Sequence, residues 1–332
     1  MEANRLTELD GLRGIAAVSV VVYHYFTRYD QLFGHNFNVH KLFALGQYGV
    51  HLFFIVSGFV IYWTISRVDK PLEFLWSRFS RLYPPFWVAV ILTFVTTSIF
   101  SLPDRDVDSA TFILNLLMFH EYLGAKHVDG VYWTLTIELA FYFWITILLI
   151  FGKVKDLEKI LILWLLAATL INFCKFDLYI DQRLTKLLMV KYVGLFAAGI
   201  CFYKYKFKRH SIYTHAVFIL SITSLYFTHP YKAAVLICVF YLVFGIVLMN
   251  CAKFLKSRAL VYFGTISYSL YLVHQNIGYV IINESYSNGL NPFVGILVAF
   301  IFSVFLSHLM LIFIERPSVK KLKAIYKEIR KN

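Results

Sequence analysis

Apolar runs follow one another along this chain, each close to the length a helix needs to cross a bilayer, and no soluble fold has room for so many. A hydrocarbon layer about 30 Å thick takes roughly 20 helical residues. Runs of that kind fall at about 11–27, 48–66, 82–101, 131–151, 159–174, 185–203, 211–228, 232–251, 259–283 and 291–314, the fifth being short. The stretch FILNLLMF from Phe112 is too short to span and reads as interfacial or re-entrant. Composition agrees, because only 15% of residues are charged and 59% are hydrophobic, whereas soluble domains carry roughly 25% charge. The fold class expected is an all-α polytopic membrane protein of about ten transmembrane helices. It should form a single integral-membrane domain over residues 1–332, with a basic tail from about residue 316.

A net charge of +13 raises the question of nucleic acid, and its distribution answers it. Basic residues gather in alternate segments: Arg5 and Arg13; Arg67, Lys70, Arg78 and Arg81; Lys153, Lys155 and Lys159; Lys204, Lys206, Lys208 and Arg209; Lys253, Lys256 and Arg258; and the tail from Arg316 to Lys331. This is the positive-inside pattern, and it puts both termini in the cytoplasm. The charge is accounted for by topology and contact with membrane lipids, and nucleic acid is excluded as a partner. The first run ends in Tyr23, His24 and Tyr25 with no small-residue cleavage site, so it stays as a helix. Cys174, Cys201, Cys238 and Cys251 lie within or beside apolar runs with no metal-type spacing. They read as small apolar residues, and no metal is expected.

Ionisable groups inside such runs are costly and mark candidate sites. Arg13 and His24 are eleven residues apart, which separates them by about 20° around a helix and roughly 16 Å along it. One helix thus presents a guanidinium near the inner surface and an imidazole near the midplane. Glu138 lies roughly 12 Å below the outer boundary of an oppositely directed span, so His24 and Glu138 reach similar depth and can pair. Thr134, Glu138 and Tyr142 at i, i+4 and i+8 line one face. Arg78 and Arg81 are helical neighbours ahead of Pro84 and Pro85, where the third span should start, and two guanidiniums there could hold a phosphate. Ser57 and Gly58 suit close helix packing. In the ninth run Gly264, Ser267, Tyr268, Tyr271, His274, Gln275 and Gly278 recur at three and four residues, making one face polar or small. The outer loop Leu102–Gly130 holds five acidic residues against Arg105 and Lys126, which either keeps basic charge off that side or contacts a sugar. Lys191 should snorkel to the outer surface.

Together these segments resemble the membrane acyltransferase family 3 proteins of bacteria, which O-acylate cell-surface polysaccharides and related molecules. The matching blocks are LDGLRGIAAVSVVVYH with its Arg13 to His24 spacing, FFIVSGF at Phe53 to Phe59, RFSRLYP at Arg78 to Pro84, WTLTIE at Trp133 to Glu138, GTISYSLYLVH at Gly264 to His274, and Glu315 with Pro317. The resemblance implies about ten spans in the bacterial cytoplasmic (inner) membrane and an acyl-coenzyme A donor, most simply acetyl-CoA, on the cytoplasmic side. The acceptor would be a cell-surface glycan or lipid-linked sugar on the other side. It implies essential roles for Arg13 and His24 and a donor-phosphate site at Arg78 and Arg81, and relatives often carry an appended extracytoplasmic hydrolase-like domain that is not expected here. Many relatives are acidic at the position of His51. The expected chemistry makes His24 the general base, Glu138 its orienting partner and Arg13 an aid to the donor, with transient acyl-imidazole as the other route. Ser57, Trp133, Tyr271, His274 and Gln275 are expected to contact substrate. A multi-span transporter or flippase is the rival reading, disfavoured because no inverted repeat is visible in the sequence.

Overall fold

The computed structural model describes residues 6–68 and 70–330, so Arg5 and Lys331 lie outside the described residues. Among the described residues the chain is all-helical, with no strand. Five helices are long and apolar enough to cross a membrane: Lys41–Ile65, Pro71–Phe100, Gly130–Ile150, Tyr231–Leu248 and Pro292–Ile329. The other apolar runs are also helical over all or most of their length. Contacts divide the described residues into two compact units whose segments alternate in sequence, one of residues 6–9, 50–68, 70–75 and 137–257, the other of residues 10–49, 76–136 and 258–330.

The first unit is held mainly by apolar packing. A Cβ on Gly58 would sit 2.1 Å from the Phe196 carbonyl oxygen and one on Gly199 2.0 Å from that of Ile55, so helices Gly49–Ile65 and Val193–Lys206 touch backbone to backbone. Small residues are what permit such approach. Around this contact the Phe196 ring packs on Phe54 and Phe141, at 5.1 and 4.3 Å between centroids. The sixth apolar run is not one helix. It breaks into Gln182–Leu187 and Val193–Lys206, with Met189 at φ +52°. The carbonyls freed at the break are taken by indole N–H groups, Trp144 donating to Leu187 at 2.8 Å and Trp164 to Leu188 at 2.6 Å. Lys191 is exposed in that turn.

The second unit contains longer and less regular helices. The 30-residue helix Pro71–Phe100, which belongs to this unit from Trp76 on, runs through Pro84 and Pro85 instead of starting there. An interior proline costs about 3 kcal/mol, and the turns around this pair are tied from outside. Tyr83 donates to the Leu117 carbonyl at 3.0 Å, Trp87 to that of Leu116 at 2.9 Å, and Tyr268 to that of Leu82 at 2.8 Å. Leu116 and Leu117 follow the short helix Ser109–Asn115, which Asp108 caps by accepting from Thr111 N at 2.8 Å. The apolar stretch from Phe112 therefore buttresses the proline turns and does not span.

Two π-helical segments, Tyr23–Arg28 and Leu311–Glu315, are set into longer helices in this unit. The ninth run is also interrupted. Arg258–Val273 and Gln275–Ser287 are separate helices with the break at His274.

Candidate active site

The first helix and Arg258–Val273 are registered by a pair of glycines. A Cβ on Gly264 would lie 1.8 Å from the Asp10 carbonyl oxygen, and one on Gly14 2.2 Å from that of Leu260. Ten residues further along each chain, about 15 Å of helical rise, His24 and His274 meet. Their rings are 4.8 Å apart between centroids, and His274 Nε2 is 3.2 Å from His24 Nδ1. Equal offsets from one close contact mean that the two segments run side by side in the same direction, and the glycines set where the imidazoles fall.

The hydrogen bonds fix both tautomers. His24 Nδ1 is 2.8 Å from the Val20 carbonyl oxygen, and a carbonyl can only accept, so Nδ1 carries the proton. His274 Nδ1 faces the carbonyls of Leu270 and Tyr271 at 3.0 and 2.9 Å and is protonated for the same reason, which leaves its Nε2 as an acceptor. His24 Nδ1–H is therefore shared between Val20 and His274. The lone pair of His24 is left on Nε2, the arrangement a general base requires. His24 is half-buried and lies within the π-helical segment, a local widening that is frequent at functional sites.

His274 is fully buried and is held from two sides. The Tyr25 hydroxyl donates to its carbonyl at 2.8 Å and pairs with Ser303 at 2.7 Å. The buried carboxylate of Asp129 caps two helices at once, its Oδ2 accepting from Asn276 N at 3.0 Å and its Oδ1 from Val131 N at 3.2 Å. Asn276 in turn donates from Nδ2 to the Val128 carbonyl at 2.9 Å. The carboxylate thus replaces the partner that the helix break removes from Asn276. Burial pushes the Asp129 carboxyl up to about 6, against the pull of these N–H groups and of Arg105. The neighbouring Tyr271 hydroxyl reaches Thr134 at 2.8 Å and donates to the Val131 carbonyl at 3.0 Å.

Near the N-terminal end of the first helix a second polar group forms. Ser269 donates to Glu315 at 3.2 Å, and the charges of Arg81, Arg13 and Arg316 all bear on that carboxylate. Arg78 donates to the Ser77 hydroxyl at 3.1 Å from the same helix as Arg81. Glu315 ends the other π-helical segment.

The expected partnership of His24 with Glu138 joins residues of different compact units. In its own unit Glu138 accepts from Ser57 at 2.8 Å and from the Tyr142 hydroxyl, its i+4 neighbour. Trp133 is half-buried at the start of the Trp133–Ile150 helix. Gln275 is buried with its amide against Gly130. Sequence reasoning did not single out Tyr25, Arg105, His120, His127, Asp129 or Tyr279 as site residues. Only Asp129, a carboxylate directly before a span, carried a local signal, that of a helix cap.

The acyltransferase domain family matches residues 6–312. The chain belongs to this family. Among curated relatives of this acyltransferase-family chain, O-acetyltransferase OatA of Staphylococcus aureus is 28% identical across 95% of the chain and 57% of its own length. Acyltransferase MdmB of Streptomyces mycarofaciens is 30% identical across 42% of the chain and 38% of its own length. Exopolysaccharide production protein ExoZ of Rhizobium meliloti is 31% identical across 30% of the chain and 33% of its own length. The chain thus spans little more than half of the length of OatA and about a third of the others. No solved structure matches it.

Proposed function

We propose that the protein is a membrane O-acyltransferase that moves an acetyl or other short acyl group from acyl-coenzyme A to a hydroxyl of a cell-surface polysaccharide or lipid-linked sugar. One observation carries this reading: within a family-matched segment, His24 is fixed by Val20 and His274 with its Nε2 lone pair left for a substrate proton. In the reaction His24 Nε2 takes the proton of the acceptor hydroxyl as its oxygen attacks the thioester carbonyl. The carbon–sulfur bond breaks, and the coenzyme A thiolate leaves with that proton, which restores neutral imidazole and gives an ester. A positioned base of this kind contributes about 10²- to 10⁴-fold. His274 orients the His24 ring through its Nε2, and Glu138 keeps its proposed part in polarising the imidazole, with Ser57 and Tyr142 donating to its carboxylate. Arg13, Arg78 and Arg81 would receive the donor's phosphates at the cytoplasmic surface, since guanidiniums bind phosphate by paired charge-assisted bonds.

Ten spans, both termini in the cytoplasm and an inner-membrane location belong to the same proposal, supported by the distribution of basic residues. The name of ExoZ, an exopolysaccharide production protein, favours a glycan acceptor, and that of OatA, an O-acetyltransferase, favours acetyl transfer to oxygen. The test is transfer of radiolabel from acetyl-coenzyme A to surface glycan by membranes containing the protein. His24→Ala should reduce the rate at least about hundredfold; a wild-type rate would overturn the scheme. Arg78→Ala with Arg81→Ala should weaken coenzyme A binding by about tenfold or more, and unchanged affinity would return both arginines to a topological role.

A further inference from the structure

Tyr279 is fully buried, and its hydroxyl has no hydrogen-bond partner among the described residues. Leaving a buried hydroxyl unpaired costs about 1–3 kcal/mol, and such a group calls for an explanation. The rings of Tyr29 and Phe33 hold it in place, each 5.7 Å away between centroids. The charges of Arg105 and Arg28 lie within electrostatic range of that hydroxyl and of the His24 ring, as lesser influences beside burial. Arg28 lies four residues after His24 in the π-helical segment and donates to Gln31 at 3.0 Å from one nitrogen. Arg105 reaches in from the outer loop, half-buried, with its Nη1 3.2 Å from where a Cβ on Gly130 would stand. The Gln275 amide, next in sequence to His274, touches the same point at 2.9 Å. Any side chain at residue 130 would close this approach. Among the described residues no hydrogen bond or ion pair engages the Arg105 guanidinium. Asp129, the carboxylate that bears on the Tyr279 hydroxyl, has both oxygens on backbone N–H groups.

We infer that Arg105, Arg28 and the Tyr279 hydroxyl form a subsite for an anionic group, a carboxylate or phosphate, on the acceptor whose hydroxyl reacts at His24. A planar or tetrahedral oxyanion accepts from guanidinium N–H and phenolic O–H donors together, and it supplies the partner that Tyr279 lacks. The inference rests on the acyltransfer reading and adds to it that the acceptor is an acidic sugar or sugar phosphate and not a neutral glycan.

The test is isothermal titration of the purified full-length protein with methyl glucuronoside, glucose 1-phosphate and neutral methyl glucoside. At least one anionic sugar should bind about tenfold more tightly than the neutral one, the value of roughly one charge-assisted hydrogen bond. Which anion binds separates carboxylate from phosphate. Arg105→Gln should shrink the preference to about twofold or less, and Arg28→Gln should reduce it independently, so that a folding defect in one variant leaves the other to decide. Tyr279→Phe should weaken the anionic sugar several-fold without changing the neutral one. Equal affinity for all three sugars, no binding of either anion, or a preference that survives both arginine changes would overturn the subsite. His24→Ala should keep the preference. Preference without acyl transfer by the wild-type protein would sink the enzymatic reading and leave the subsite, whereas efficient transfer to the neutral glucoside independent of Arg105 would do the reverse.

Discussion

The two compact units are both built from apolar helices, yet they spend their polar residues differently. In the first, charges are paired off internally. Lys204 Nζ lies 2.6 Å from Glu158, both side chains largely buried, with Thr214 also donating to Glu158 and the Tyr62 ring 5.5 Å from the ammonium. In the second, helices widen or break at polar residues, at His24, His274 and Glu315, and the buried Tyr279 hydroxyl is left without a hydrogen-bond partner among the described residues. The contrast is between a buried ion pair whose charges satisfy one another and a unit whose polar residues sit where its helices widen or break.

The same lesion placed in each unit gives the sharpest break of this comparison. Gly264→Ala and Gly199→Ala both force a Cβ to within about 2 Å of a backbone oxygen, so each must push a pair of helices apart. Both should lower thermal stability. Only Gly264→Ala should also cut acyl transfer per folded molecule, by about 10²-fold, because a displacement of about 1 Å at reacting groups costs that much and this contact registers His24 against His274. Equal transfer by the two variants, measured on protein normalised for folded fraction, would mean that the glycine register does not set the site.

The features of this arrangement that were legible in the sequence are the ones made by neighbours along the chain. Apolar runs foretold helices, the i and i+4 spacing put Glu138 and Tyr142 on one face, where they hydrogen-bond, and Arg78 and Arg81 do share one helix. The meeting of His24 with His274, 250 residues apart, was not legible, because it depends on Gly14 and Gly264 touching backbones that the sequence does not name. The break at His274 was hidden likewise. Its stretch keeps an unbroken helical period, and the carboxylate that caps the break lies 147 residues away in a loop. Tertiary contacts decided these points where local pattern was silent.

The buried pair of the first unit offers a smaller effect on stability with no expected effect on chemistry. Lys204→Met alone strands the Glu158 carboxylate and should cost about 3–5 kcal/mol, whereas Lys204→Met with Glu158→Leu should be roughly neutral. Thermal unfolding in detergent reads both, and transfer per folded molecule should be unchanged in each. Loss of transfer in the stable double variant would break the division between scaffold and site.

Smallest is a pH effect to which each unit contributes one histidine. His120, buried in the second unit with its Nε2 2.7 Å from His127 Nδ1, is lowered to about 4 by burial and then by His127. His229 in the first unit is also lowered to about 4, by burial and then by the charge of Lys191. Because the folded protein binds fewer protons than the unfolded chain between about 4 and 6.5, stability from both groups is complete above about 6.5 and is lost as pH falls toward 4. Thermal midpoints measured across that window should drop by several degrees. The two contributions separate by their second cause. His127→Gln removes the neighbour that opposes a second proton, raises the His120 value and shortens the acid decline. Lys191→Gln acts on an exposed charge, which solvent screens, and should change the decline less. A larger effect from Lys191→Gln would place the stronger coupling in the first unit.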